Sequence, residues 1–160
     1  MNNDLLQLAE EAMRLEYNVS KLYMIFRDAY PQDAKFWWSL VIEESNHAAL
    51  IKSGIDYFMS EDFFPNEIFP SMEDLQGANK ELVSILEKYV TNPPTRVEAF
   101  KLALKTEMSA GEIHYQSAMA KSTDGSKMLE LFQKLNQGDK DHAKRIRTYM
   151  KEEGIKESGD

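Results

Sequence analysis

Trp37 to Ile51, WWSLVIEESNHAALI, and Phe132 to Ile146, FQKLNQGDKDHAKRI, are one helix written twice. Each stretch places a carboxylate three residues before a histidine that is followed by alanine: Glu44 with His47 and Ala48, Asp139 with His142 and Ala143. Under the same alignment Trp37 falls on Phe132, Leu40 on Leu135 and Ile51 on Ile146, so the apolar positions recur along one stripe. Residues i and i+3 of a helix project from the same face. Each stretch therefore presents an oxygen and an imidazole side by side, and two of the chain's three histidines are used this way. A helical bundle offers ligands to a metal ion in this manner.

Composition narrows the class. The 160 residues fit a single domain over residues 1–160, with 42% hydrophobic and 29% charged content. A net charge of −8 argues against a nucleic-acid surface, which needs clustered Lys and Arg to neutralise phosphates. Cysteine is absent, which excludes disulfides, thiolate metal sites and redox thiols. The N-terminal MNNDLLQLAEEAM lacks a basic flank and a continuous apolar run, and no window approaches the roughly 20 apolar residues of a membrane span. The expectation is a cytoplasmic protein with no membrane partner.

The breaks along the chain place four long helices, near 4–29, 33–59, 95–122 and 126–153. The first keeps apolar residues at 5, 8, 9, 12, 15, 19, 22, 23 and 26 and ends before Pro31. Thr95 with Glu98 three residues on forms a capping box after Pro93-Pro94, and Ser122-Thr123-Asp124-Gly125 reads as a turn. Gly154 closes the last helix and leaves 154–160 as a flexible tail. Residues 60–94 open with the Phe/Pro-rich EDFFPNEIFPS and hold a shorter helix, about Met72 to Tyr89. A link of that length can traverse a bundle, which makes the second and third long helices parallel. The fold class is thus all-α: an antiparallel four-helix bundle with one long crossover.

Across a tight turn, residues of two antiparallel helices at one height are equidistant from the turn. Reflecting Glu44 through Tyr30-Pro31 lands on Glu16, and reflecting Asp139 through Thr123 lands on Glu107. Their heptad neighbours Ala9, Tyr23, Phe100 and His114 are interior types, so both acids are expected to point inward, whereas Glu10 and Glu11 face solvent. Four buried carboxylates would repel one another unless cations offset them. Two divalent ions would do so, with His47 and His142 completing the set and the ions roughly 3.5–4 Å apart. The oxygen and imidazole donors suit iron and manganese and also admit zinc. Ala12, Ala48, Ala103, Ala110, Gly111 and Ala143 leave room for a small oxidant and none for a large organic substrate. His114, one heptad from Glu107, is read as a hydrogen-bonded interior histidine; the nine Met are read as core. Tyr23 is read either as a relay of electrons or protons beside the ions or as an aromatic filling the core beside Trp37.

LEYNVSKLY around Glu16, FWWSLVIEESNHA, ALKTEMSAGEIHY around Glu107, and LNQGDKDHA together resemble the ferritin-like superfamily, most closely its rubrerythrin-like branch, over roughly residues 4–153. Position by position, Glu16, Glu44, His47, Glu107, Asp139 and His142 match metal ligands, with Glu44 and Glu107 the expected bridges. The resemblance implies two iron ions, oxidation of Fe(II) by dioxygen or hydrogen peroxide, an external electron donor, and a homodimer. It equally admits iron storage or a non-catalytic metal-binding domain. The chain departs from the rubrerythrin pattern at three points. Asp139 stands where a longer Glu is expected, Ala110 where a second Glu follows the third helix's ligand, with Glu112 turned away, and no Cys-rich electron-delivery module is present.

Overall fold

The computed structural model describes residues 3–60, 70–119 and 127–156. It is all-α: helices α1 (Asn3–Ala29), α2 (Ala34–Ser60), α3 (Met72–Thr91), α4 (Arg96–Met119) and α5 (Lys127–Glu152), with a 3-10 turn at Pro31–Asp33 between the first two. The boundaries fall within a few residues of those expected. The turn at Ser122–Gly125 and most of EDFFPNEIFPS lie outside the described residues. Among the described residues, no helix is long and apolar enough to cross a membrane.

Local chemistry sets the helix ends. At α4 the Glu98 carboxylate accepts from the Thr95 backbone N–H at 2.8 Å, and Thr95 Oγ1 accepts from the Glu98 N–H at 3.4 Å, the reciprocal capping box. Ser71 caps α3, its hydroxyl accepting from the Asp74 N–H at 3.0 Å. At the end of α5, Gly154 adopts φ 69°, which only glycine reaches cheaply. The following Ile155 N–H then reaches back to the Met150 carbonyl at 2.8 Å. That wrap folds Ile155 onto the core at 8% exposure, so this residue is not part of a flexible tail as expected.

Among α1, α2, α4 and α5, contacts run in opposite directions along each neighbouring pair. Between α1 and α2, Glu16 meets His47, Ser20 meets Ser45 and Val41, and Tyr23 meets Trp37. Between α4 and α5, His114 meets Asp139, Glu107 meets His142, and Phe100 meets Tyr149. Antiparallel ladders also join α1 to α4, through Glu16–His114 and Tyr23–Glu107, and α2 to α5, through His47–Asp139 and Phe36–Tyr149. The helix α3 lies on the outside of α1: the buried Asn79 accepts from Asn18 at 2.9 Å and donates to Glu11 Oε2 at 2.8 Å. Glu11 is accordingly half-buried, not solvent-facing as expected, because the crossover helix covers it.

One apolar core runs through these helices. The repeat-related pairs Trp37/Phe132, Leu40/Leu135 and Ile51/Ile146 are all at 0% exposure, so the two copies bury the same stripe. Methionine is less uniform: Met150 is core, while Met24 and Met108 are exposed. An aromatic cluster of Tyr23, Phe26, Phe36, Trp37, Phe100 and Tyr149 fills one end. That end is tied by the buried Asp33, which accepts from Arg96 in a fork at 2.7 and 2.7 Å and from the Tyr149 hydroxyl at 2.9 Å. Bidentate pairing supplies geometry as well as attraction. The α1–α2 corner is thereby fixed to the start of α4 and the end of α5.

Candidate metal centre

Seven ionisable side chains converge beyond the aromatic cluster: Glu16 from α1, Glu44 and His47 from α2, Glu107 and His114 from α4, and Asp139 and His142 from α5. The four carboxylates are at most 2% exposed, and so are His114 and His142; His47 is half-buried, with 15% of its side chain accessible. Glu16 and Glu107 thus face inward, as the reflection argument required. Across α1–α2 the pairing keeps the reflection, since Tyr23 meets Trp37, whereas across α4–α5 it differs by about one helical turn, since Glu107 meets His142 and Phe100 meets Tyr149.

Two groups of donor atoms emerge. Glu16, Glu44, His47 and Asp139 bring one atom each within 4.8 Å of one another, and Glu44, Glu107 and His142 do the same. Glu44 belongs to both. Of the two expected bridges it alone spans the groups, since Glu107 is in the second only. Asp139 joins the group of His47, on the neighbouring helix, not that of its own helix partner His142. His47 Nδ1 lies 3.3 Å from Glu44 Oε2, 3.4 Å from Glu16 Oε2 and 3.9 Å from Asp139 Oδ1. His142 Nδ1 lies 2.7 Å from Glu44 Oε1 and 3.4 Å from Glu107 Oε2. The two imidazole rings stack with centroids 5.4 Å apart.

Several of these atoms are close without being aligned as hydrogen bonds. Glu16 Oε1, Glu44 Oε1, His47 Nδ1 and His142 Nδ1 are buried with no hydrogen-bond partner of proper geometry. Leaving so many polar atoms unsatisfied is costly. Carboxylate and imidazole lone pairs converging from all four helices are what a divalent first-row cation requires, so the donor set fits such an ion.

His114 is the residue whose place the sequence left least defined. It is interior and hydrogen-bonded, as read, but its partners are two candidate ligands: Nδ1 lies 2.7 Å from Asp139 Oδ2 and Nε2 lies 3.2 Å from Glu16 Oε1. It spans the pair, hydrogen-bonded to Asp139 and set beside Glu16 without the alignment of a hydrogen bond, so Nε2 joins the unsatisfied buried atoms. Tyr23 fills the core beside Trp37, the second of its two readings. Its ring stacks on Trp37 at 5.6 Å, and its hydroxyl donates to Glu107 Oε1. Burial and the neighbouring Glu107 and Glu44 charges hold the Tyr23 hydroxyl well above the usual phenol range, so it stays a donor.

The electrostatics show how the cluster balances itself with protons. Burial opposes charge on His47 and His114, but Glu16 with Glu44 and Asp139 with Glu16 overcome it, raising each to about 10. His142, likewise opposed by burial, is raised to about 11 by Glu107 and Glu44. Burial, then the Glu44 charge, pushes Glu107 up to about 8. Burial also raises Asp139, against the pull of His114. Burial raises Glu16, but the imidazoles of His114 and His47 beside it outweigh this and hold it below the usual carboxylate range.

Ala12, Ala48, Ala103, Ala110 and Ala143 are buried as expected, and Gly111 approaches Asp139 so closely that a Cβ there would meet Asp139 Cβ at 3.3 Å. The side chain of Glu112 lies outside the described residues. A crevice of about 390 Å³ between α4 and α5 is lined by Met108, Gly111, Asn136 and Ala143 together with Glu107 and Asp139. It borders two of the carboxylates, with Lys140 and Arg147 also on its wall. No family model, curated protein or solved structure matches this chain.

Proposed function

We propose that this chain is a ferritin-like four-helix bundle, with α3 in its one long crossover, that binds two iron ions between its helices and oxidises Fe(II) with dioxygen or hydrogen peroxide. The observation that carries the reading is Glu44, buried and shared by two groups of inward-facing carboxylate and imidazole atoms. A single shared carboxylate between two donor sets is the arrangement by which two cations are held side by side.

In this reading Glu16, His47 and Asp139 hold one ion, Glu107 and His142 the other, and Glu44 both. When bound, an iron pair supplies two electrons to a small oxidant without forming free radicals in solution. The protein's own part is placement and exclusion of water. His114 orients Asp139 by a hydrogen bond and lies 3.2 Å from Glu16, and Tyr23 orients Glu107 by donating to it. The Tyr23 proton stays on the phenol, where it is donated to Glu107 Oε1. The crevice between α4 and α5 admits a small oxidant to this side. An external donor returns the electrons.

Exposed Tyr17 and Met24 on α1 with Trp38 and Ile42 on α2 support assembly as a homodimer through these two helices. Anaerobic loading with Fe(II) followed by oxidant, watched by visible absorption, tests the reading. Two irons per chain and oxidation faster than that of free Fe(II) are expected. Binding without accelerated oxidation would leave a metal-binding domain, and light scattering at about 24 subunits instead of a dimer would indicate a storage cage.

A further inference from the structure

The two copies of the repeat are unequal one residue before each carboxylate. The shift that takes Glu44 to Asp139 and His47 to His142 takes Glu43 to Gly138. Glu43 is occupied: His142 Nε2 donates to its Oε2 at 2.9 Å, and Arg145 Nη1 donates to both of its oxygens at 2.7 and 2.6 Å. Arg145 also donates to Ser39 Oγ at 2.8 Å, so the guanidinium that holds the carboxylate is itself anchored to α2. The same shift takes Ser39 to Lys134 and Arg145 back to Leu50, so none of the three parts of this clamp recurs around His47.

Gly138 does the opposite of what Glu43 does. A Cβ at Gly138 would sit 2.7 Å from both Cε1 and Nε2 of His47, so the imidazole occupies the space a side chain would need. The outer nitrogen of His47 therefore faces backbone, with no acceptor for it among the described residues, and its side chain is 15% accessible against 2% for His142. One imidazole has its outer nitrogen on a carboxylate and its Nδ1 turned toward Glu44 and Glu107. The other has no carboxylate on its outer nitrogen among the described residues, and its Nδ1 side alone faces Glu44, Glu16 and Asp139.

Resting on the di-metal reading, we propose that Glu43, clamped by the Ser39-anchored Arg145, is a positioning residue for His142 that tightens metal binding in the Glu44–Glu107–His142 half only, leaving the His47 half without an equivalent. A carboxylate on the outer nitrogen of a ligating histidine fixes the ring and raises its basicity, and its loss costs about 10–100-fold in metal affinity. Glu43 is partly exposed, with 38% of its side chain accessible, so its replacement leaves the core intact.

Cobalt(II) titration followed by calorimetry and by visible absorption gives a readout independent of turnover. In the wild-type chain two Co(II) are taken up. Glu43→Ala is expected to weaken one binding step by about 10–100-fold and spare the other, with Glu43→Gln, which can still accept from Nε2 but carries no charge, falling between. Gly138→Ala is expected to displace the His47 ring and weaken the other step. In a His142→Ala background Glu43→Ala should cost nothing further, because its effect passes through that ring. Equal weakening of both steps, no weakening, or a full further loss without His142 would each overturn the proposal while leaving the di-metal reading in place. A wild-type chain that binds no Co(II) would overturn both. Far-UV circular dichroism of each variant confirms the helices.

Discussion

Among the single residues, Glu44 and Asp139 are repeat equivalents with different reach. Both are at 1% exposure, but Glu44 contributes to both donor groups and Asp139 to the first alone, with its other oxygen committed to His114. Replacing Glu44 by Ala therefore removes a donor from both ions, and no Fe(II) should be retained after gel filtration. Replacing Asp139 by Ala should leave about one ion per chain, at the Glu107–His142 side. Comparable losses in the two variants, read by metal analysis, would mean that Asp139 also serves both positions. The same comparison separates Glu107 from the bridging role expected of it, since Glu107→Ala should resemble Asp139→Ala and not Glu44→Ala. His114→Gln tests the positioning of Asp139 and Glu16: it keeps one hydrogen bond and should lower affinity in the His47 half only.

Among the elements, the helix ends carry separable contributions. Gly154 has open space where a Cβ would go, so Gly154→Ala meets no clash and costs only the left-handed conformation, about 1–2 kcal/mol. A lower urea midpoint with unchanged metal binding is the expected result. Arg96→Met leaves the buried Asp33 with the Tyr149 hydroxyl as its remaining partner, a loss of about 2–4 kcal/mol after allowing for the partial exposure of Arg96. These ends were legible in the sequence because a capping box and a C-terminal glycine act over three or four residues. The inward faces were legible too, since Trp37/Phe132, Leu40/Leu135 and Ile51/Ile146 repeat the same burial. What stayed hidden depends on the axial offset between helices. Reflection through a turn finds the right residues but is blind to a one-turn shift, and that shift sets His114 against Asp139 and Glu107 against His142. The docking of α3 was equally out of reach: Asn79 looks like a surface residue until Asn18 and Glu11 are placed opposite it. Glu43 and Gly138 differ in an alignment, but only geometry shows that one holds an imidazole and the other makes room for one.

Across the whole molecule, the same cluster that would bind cations sets the pH dependence of the metal-free protein. The three histidines have folded values of about 10, 10 and 11, above the unfolded value near 6.5. Their contribution is therefore complete below the unfolded value and is lost as pH rises through the folded ones. Glu107, raised to about 8, acts in the same direction over a lower window, because the folded chain holds a proton there that the unfolded chain has released. Glu16, lowered, acts oppositely: it stabilises above its unfolded value and loses that contribution in acid. With both arms together, the metal-free chain should be most stable near about pH 4–5, where the gain from Glu16 is nearly complete and the loss through Glu107 begins, and weaken steadily toward alkaline pH. Urea midpoints measured in chelator at a series of pH values check the slope; a midpoint that rose between neutrality and pH 9 would contradict the imidazolium–carboxylate balance. Metal loading should reverse the alkaline loss, because cations replace the protons that the imidazoles surrender and bind folded chain in preference to unfolded. The gap between the loaded and chelated midpoints should then widen as pH rises from 6 to 8. If that gap stays constant, the ions are binding outside the cluster, and proton release measured during loading would be correspondingly absent.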